Sequence, residues 1–292
     1  MEENDKKSWA TNNNLISGNP LVSILIVAYN AERTILWTLA SIFDQTYKNY
    51  EILILDNNST DKTIEIIKFF NNPKIKIFSE NKNLWPYKWL NYLLDRAKWK
   101  YIAIQDHDDV WYKEKIEKQV KFLEKHKGFV WCWTWCIDYY SADHTWYLIQ
   151  EKECDDYLVY HTSLIFRNEW YRYDTSKTFL CDCYFMKYIL CKNKKNLHII
   201  PWIMSLHYNK KDGSNLSNYW FKLNLNNIKT YFKVYWYDLY HICALIFISI
   251  LKIAPWKLGV FIQRFFFRRI KWVKPIENID DKMVHSMVKY LE

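Results

Sequence analysis

Residues 21 to 28 read Leu-Val-Ser-Ile-Leu-Ile-Val-Ala, and this nearly unbroken apolar run restricts the fold more than any other segment. A strand with one wet face alternates polar and apolar residues. A continuous run belongs to a strand covered on both faces, the situation of a parallel sheet flanked by helices. The residues that follow repeat the theme. A helical stretch is expected from about Ala31 to Asp44, a strand at Glu51–Leu55, and a turn at Asp56–Asp61 that caps a helix carrying Ile64, Ile67 and Phe70. A short strand at Ile75–Phe78, a helix at Tyr87–Lys98 and a strand at Tyr101–Gln105 complete the series. Strands and helices alternating at this spacing predict an α/β fold: a Rossmann-like, mainly parallel sheet with helices on both faces.

Ligands of such sheets bind at the carboxyl ends of the strands. Three polar clusters fall at those ends: Tyr29-Asn30-Ala31-Glu32, Asp56-Asn57-Asn58 and Asp106-His107-Asp108-Asp109. One shared crevice explains three clusters at equivalent ends better than three unrelated loops do. The last cluster sets three carboxylates close together after an apolar strand. Like charges repel, and a hard divalent cation bound by oxygen ligands relieves the repulsion. The competing reading is an acidic loop that caps a helix beginning near Tyr112.

Charge and composition narrow the function. The 292 residues carry a net charge of +9, which suits an anionic partner. Seven scattered cysteines make neither a disulfide framework nor a zinc site with histidine partners, and fit reduced thiols in a cytosol. Residues 1–19 are polar and Asn-rich and lack the apolar core of a signal peptide, so a disordered lead-in is expected. The chain has 16 Trp and only 4 Gly, where average usage gives roughly 20 Gly. Trp99 occupies a place where a glycine would end a helix, and Trp131, Trp133 and Trp135 alternate with Cys and Thr. Some bacterial lineages decode UGA as glycine. Several of these tryptophans are read here as such codons.

Three segments carry a specific resemblance: VSILIVAYNAERTI, SIFDQTYKNYEILILDNNSTDKT and AKWKYIAIQDHDDVWYKEKIEKQ. In this order they resemble the family 2 glycosyltransferases of the GT-A fold, closely over residues 20–125 and more weakly through His161–Arg167 to about Ser217. The resemblance implies a GT-A domain over residues 20–217 that takes a nucleotide-sugar donor. It implies that Tyr29, Asn30, Glu32, Asp56, Asn57, Asp106 and His107 line the donor pocket, and that Asp106 and Asp108 form a DXD motif holding Mn²⁺ or Mg²⁺. It places the general base of an inverting hexosyl or deoxyhexosyl transfer at Asp182, although an aspartate there also suits a helix cap. His161 is a candidate for the acceptor side or for the core, and His207 for reaching the diphosphate. The chain departs from the family at Asn57, often Asp there, at Cys181, often Glu, and at Trp85, Trp89 and Trp99, often glycine.

Residues 218–292 read differently. From Lys252 to Lys274 there are seven basic and no acidic residues, interleaved with Phe261, Phe265, Phe266 and Phe267. A helix of this kind lies in an anionic membrane interface or packs its aromatic face on its own domain. The apolar run His241–Leu251 is too short to span a bilayer. The expectation is a C-terminal helical appendage on a cytoplasmic protein, peripheral on the inner membrane face. It would extend a glycan or lipid-linked acceptor in cell-surface polysaccharide synthesis. No nucleic-acid-binding motif is present. The alternatives are a decayed nucleotide-sugar-binding module and a nucleotidyltransferase, though the glycine- and basic-rich loop expected of the latter near the first strand is missing.

Overall fold

A computed structural model describes residues 20–84, 86–141, 144–149, 160–176, 181–190, 197–210, 273–275 and 282–291. The first half contains β1 (Val22–Ala28), α1 (Ile35–Phe43), β2 (Tyr50–Asp56), α2 (Thr63–Phe69), β3 (Ile75–Ser79), α3 (Pro86–Leu94) and β4 (Tyr101–Ile104). β1 pairs parallel with β2 and with β4, and β2 pairs parallel with β3. All of β2 and nearly all of β1 is buried, while the edge strand β3 is only partly covered. The apolar run thus marks the sheet centre, as its lack of alternation requires.

Side chains alternate between two cores. Val22, Ile24 and Ile26 meet Ile35, Leu39 and Ile42 of α1 and Ile67 of α2 on one face. Leu25, Leu53 and Leu55 meet Leu90, Leu93 and Leu94 of α3 on the other. Helices therefore cover both faces. Each fully buried Leu or Ile contributes about 1.5–3 kcal/mol relative to exposure.

The second half comprises β5 (Val110–Trp111), α4 (Lys115–Lys125), β6 (Trp131–Tyr140), β7 (Thr145–Ile149), a 3₁₀ turn (His161–Ser163) and β8 (Leu164–Arg167). α5 (Cys181–Tyr184) and a π-helical turn (Phe185–Leu190), β9 (Leu197–Asn209), β10 (Val273–Pro275) and α6 (Lys282–Val288) follow. Here the pairing is mixed. β8 joins β4 and β6 antiparallel, β7 joins β6 antiparallel, and β9 runs parallel to β6. The parallel character thus dominates the first four strands of an α/β sheet and recurs only between β6 and β9 among the described strands.

Three details differ from the expectations. α3 ends at Leu94, well before Lys98, and Trp99 has no positive φ, so Trp99 does not cap that helix. No helix starts at Tyr112: β5 intervenes and pairs with β9, which removes the reading of the acidic loop as a helix cap. The chain end returns to the sheet, β10 pairing with β7 and Tyr290 donating to Asp44 Oδ2 at 2.6 Å. The basic aromatic stretch lies outside the described residues as far as residue 272. Among the described residues no helix is long and apolar enough to cross a membrane.

Candidate functional site

The loops after β1 and β2 lock together. Asn30, at φ 46°, donates its amide to Ser59 Oγ (3.0 Å) and accepts the Thr60 amide on Oδ1 (2.9 Å). Glu32 donates its amide to Asp61 Oδ2 (3.0 Å), and its carboxylate accepts the Lys62 amide (3.2 Å). Asp61 also accepts the amide of Thr63, the first residue of α2. Buried Asp56 accepts the Ser59 amide on both carboxylate oxygens. Asn57 donates to Asn83 Oδ1 (3.0 Å) and the Leu84 carbonyl (2.8 Å), and accepts from the Leu84 amide (2.9 Å) and Trp89 Nε1 (2.7 Å). Its side chain is a tether for the segment entering α3. Of the expected pocket residues in these loops, Tyr29 presents an exposed ring, and Asn30, Glu32 and Asn57 hold the loops in shape.

The acidic loop closes the third side. Thr38 Oγ1 and Gln105 Nε2 both donate to the Asp109 carbonyl, at 2.9 and 2.7 Å, and Thr34 Oγ1 lies 3.5 Å from His107 Nδ1. The three carboxylates have different surroundings. Asp109 is fully buried and accepts the Tyr208 amide on Oδ1, while Oδ2 has no partner among the described residues. Burial, with Asp106 and Asp108 adding to it, raises its pKa well above the ordinary carboxylate range. Burial also raises Asp106, and Asp108 adds to the effect against the pull of His161. Burial opposes ionisation of Asp108 too, but His107 and Lys210 outweigh it and its pKa is lowered. Lys210 Nζ stands 3.0 Å from Asp108 Oδ2.

β9 supplies a second cation. His207 Nδ1 is 2.8 Å from Asp138 Oδ1, and the Tyr160 ring stacks on the imidazole at 4.2 Å. Burial would depress the imidazole, yet Asp109 and Asp138 prevail and raise its pKa to about 10. His207 is thus an imidazolium facing the acidic loop.

Asp182 lies in the first turn of α5. Residues 177–180, just before this helix, lie outside the described residues. Tyr173 is a buried residue whose hydroxyl lies 3.3 Å from His161 Nε2. Burial and then the charges of Cys181, Asp182 and Asp106 raise the phenol well above its usual pKa. His161 is buried in the 3₁₀ turn, with edge-on contacts to Tyr87 and Tyr173. The geometry thus gathers the loops at the ends of β1, β2 and β4, and the charges of Asp182 and Asp106 both bear on the Tyr173 phenol.

Residues that the sequence reading did not single out do much of this positioning. Asp138 is an acid inside an otherwise apolar strand, a signal in itself, since a carboxylate is rarely buried without a partner. Gln105 joins the acidic loop to Thr162, whose hydroxyl donates to Gln105 Oε1 at 2.6 Å. Lys210 follows directly on β9. Nothing in its immediate sequence announces a partner a hundred residues away.

Solved structures share the fold. A Staphylococcus aureus TarS structure in complex with UDP matches with a TM-score of 0.54 at 16% identity, covering 64% of this chain and 60% of that one. A mannosyltransferase from Pyrobaculum calidifontis, in complex with GDP-Man and Mn²⁺, matches with a TM-score of 0.57 at 13% identity over 90% of this chain and 79% of that one. The fold is therefore the GT-A glycosyltransferase fold. The family described as Glycosyl transferase family 2 matches residues 23–189, more than half of the chain, and the chain belongs to that family. The Escherichia coli UDP-Glc:alpha-D-GlcNAc-diphosphoundecaprenol beta-1,3-glucosyltransferase WfaP is 43% identical over 109 residues, which is 37% of this chain and 43% of WfaP. The E. coli enzyme of the same description, WfgD, is 35% identical over 106 residues, 36% of this chain and 42% of WfgD. The chain thus spans less than half the length of these relatives.

Proposed function

We propose that the chain is an inverting, metal-dependent glycosyltransferase that moves a hexosyl or deoxyhexosyl unit from a nucleotide-sugar donor to a glycan or lipid-linked acceptor. The observation that carries this reading is the convergence of the acidic loop with the interlocked loops after β1 and β2. The UDP and GDP-Man complexes of the structural neighbours support a nucleotide-sugar donor. The names of WfaP and WfgD support a lipid-linked acceptor and a role in cell-surface polysaccharide synthesis.

Tyr29, Asp56, Asp106 and His107 would line the donor pocket, whose shape depends on Asn30, Glu32 and Asn57. Mn²⁺ or Mg²⁺ fits Asp106 and Asp108. Both offer oxygen, and the repulsion between them is what a cation relieves. Among the described residues no three His, Cys, Asp or Glu side chains form a metal site. Two carboxylates completed by donor phosphates agree with how Mg²⁺ is commonly held. The ion would neutralise charge on the departing diphosphate.

Asp182 takes the proton of the acceptor hydroxyl. The acceptor oxygen bonds to the anomeric carbon from the face opposite the diphosphate, the carbon–oxygen bond to the diphosphate breaks, and nucleoside diphosphate leaves. Residues 252–274 would hold the protein to the inner face of an anionic membrane, where a lipid-linked acceptor resides. The test is a panel of UDP- and GDP-sugars assayed with Mn²⁺, with chelator, and with Asp108→Asn. Chelator and substitution should each abolish most donor turnover while the fold survives. Undiminished turnover in excess chelator defeats the metal, and no turnover with any donor defeats the enzyme.

A further inference from the structure

We infer that Gln105 and Thr162 are positioning residues for the donor: a buried chain of hydrogen bonds through their side chains holds the acidic loop in the shape that binds metal and diphosphate. This rests on the proposed metal role of Asp106 and Asp108. The loop leaves the sheet at Gln105, whose backbone N–H donates to the Leu25 carbonyl of β1 at 3.0 Å. It then turns, the Asp109 N–H reaching back to the Asp106 carbonyl at 3.3 Å. It re-enters the sheet at β5, which pairs with β9. The Gln105 side chain spans this turn and donates from Nε2 to the Asp109 carbonyl at 2.7 Å. One residue therefore grips both ends of the segment that carries Asp106 and Asp108.

Thr162 sets which way the Gln105 amide points. The Trp111 indole can only donate, and its N–H meets the Thr162 carbonyl at 2.7 Å and the Thr162 hydroxyl oxygen at 3.0 Å. The hydroxyl donates in turn to Gln105 Oε1 at 2.6 Å. The Asp109 carbonyl at the far end can only accept. With a pure donor at one end and a pure acceptor at the other, the chain has one arrangement. Reversing the Gln105 amide would set Oε1 against a carbonyl oxygen. Gln105, Asp109, Trp111 and Thr162 are each no more than 1% exposed, so a lost partner leaves a polar group in a dry interior. Thr38 Oγ1 also donates to the Asp109 carbonyl, at 2.9 Å, but it does not touch Gln105 and cannot orient it. A metal held by two carboxylates tolerates little displacement of either, and groups behind the ligands commonly change affinity by about 10- to 100-fold. Thr162 belongs to the 3₁₀ turn that carries His161, so this turn reaches the metal site through Gln105.

The test uses the full chain with Thr162→Val, Thr162→Ser, Gln105→Met and the Thr162→Val, Gln105→Met double variant. UDP and GDP are titrated by calorimetry at one fixed Mn²⁺ concentration, and urea unfolding checks that each protein is folded. Thr162→Val and Gln105→Met should each weaken nucleotide binding roughly tenfold. The double variant should bind about as weakly as the weaker single one, because both break the same chain. Thr162→Ser keeps the hydroxyl and should stay near wild type. Thr162→Ala and Gln105→Asn, an amide one methylene shorter, stand in for a variant that does not fold. Nucleotide affinity unchanged in the folded variants overturns the proposal and leaves the chain a merely structural one. Losses that multiply in the double variant overturn it too, since the two residues then act separately. So does a loss in Thr162→Ser equal to that in Thr162→Val, which would assign the effect to packing. Wild-type protein that binds neither UDP nor GDP with Mn²⁺ overturns the donor site itself.

Discussion

His207 Nδ1 lies 2.8 Å from Asp138 Oδ1 in the interior, and this pair fixes a positive charge beside three carboxylates. The His207 pKa of about 10 lies above its ordinary value of 6.5. The associated stability is therefore fully present below about pH 6.5 and is lost as pH rises through 10. Asp138→Asn keeps the shape and removes the anion. Urea unfolding of both proteins at pH 6 and pH 10 should show a wild-type advantage of about 2 kcal/mol or more at pH 6 that shrinks toward pH 10. An advantage that stays constant with pH would assign the effect to packing.

Asp182→Asn should lower turnover by roughly 10²-fold with donor binding nearly unchanged, because the lost interaction belongs to the acceptor proton and the transition state. Tyr173→Phe keeps the ring stacked on Phe185 and removes the hydroxyl beside His161. Its loss should be smaller and should fall on kcat more than on KM. Donor affinity that drops with turnover in Asp182→Asn would place the carboxylate on the donor side.

Glu124 offers a measurement remote from the crevice. Its buried carboxylate meets Lys100 Nζ, Lys127 Nζ and the Tyr101 hydroxyl, each at 2.5 Å. Burial opposes its charge, but these partners outweigh burial and lower its pKa from 4.5 to about 2. A depressed carboxylate contributes stability above about pH 4.5 that is lost as pH falls through about 2. Both lysines are substantially exposed and screened, so the effect should be about 2 kcal/mol, smaller than the shift alone implies. Glu124→Gln should be less stable than wild type by that amount at pH 7 and nearly equal to it near pH 2.

Residues 252–274 should bring the protein to vesicles containing anionic lipid at low salt. Each basic residue near the surface adds about 1 kcal/mol, and salt screens it. High salt should weaken binding without abolishing it, because the Phe contribution remains. Changing Arg264, Arg268 and Arg269 to Glu should release the protein and leave nucleotide binding intact. Wild-type protein that ignores anionic vesicles at low salt would mean the segment packs on its own domain.

The parallel half of the sheet was legible because period and burial coincide there: an unbroken apolar run has only one comfortable place, the sheet centre. The acidic loop was legible because clustered charge is costly without a purpose. The bracing around it was not. Asn57 and Glu32 have the residue types of ligand contacts, and only the fold shows their hydrogen bonds tying neighbouring loops together. Lys210 and Asp108 lie 102 positions apart in number (210 − 108) and meet only because β9 pairs with β5, a two-residue strand too short to read from a pattern.

The excess of tryptophan leads to the last prediction. The helix-end argument at Trp99 does not hold, but Trp170 supplies a better one. Its backbone has φ 61°, in the left-handed region, and its side chain is 79% exposed. A bulky residue there meets a steric penalty of about 1–2 kcal/mol that glycine avoids, set against a distant cation–π contact with Arg172, 5.7 Å from the ring centroid. In β6, Trp131, Trp133 and Trp135 bury indole N–H groups with no hydrogen-bond partner among the described residues. Each such group costs about 1–3 kcal/mol. Position 170 accepts glycine more readily than tryptophan, as UGA decoded as glycine would provide; at Trp131 and Trp133, which are buried in the core, lost packing of about 3–5 kcal/mol works against the exchange. Mass spectrometry of peptides from the native organism should show glycine at 170. In protein made with the standard code, Trp170→Gly should raise stability by about 1 kcal/mol in urea unfolding. Tryptophan found at 170 in the native peptide would refute the recoding at that position.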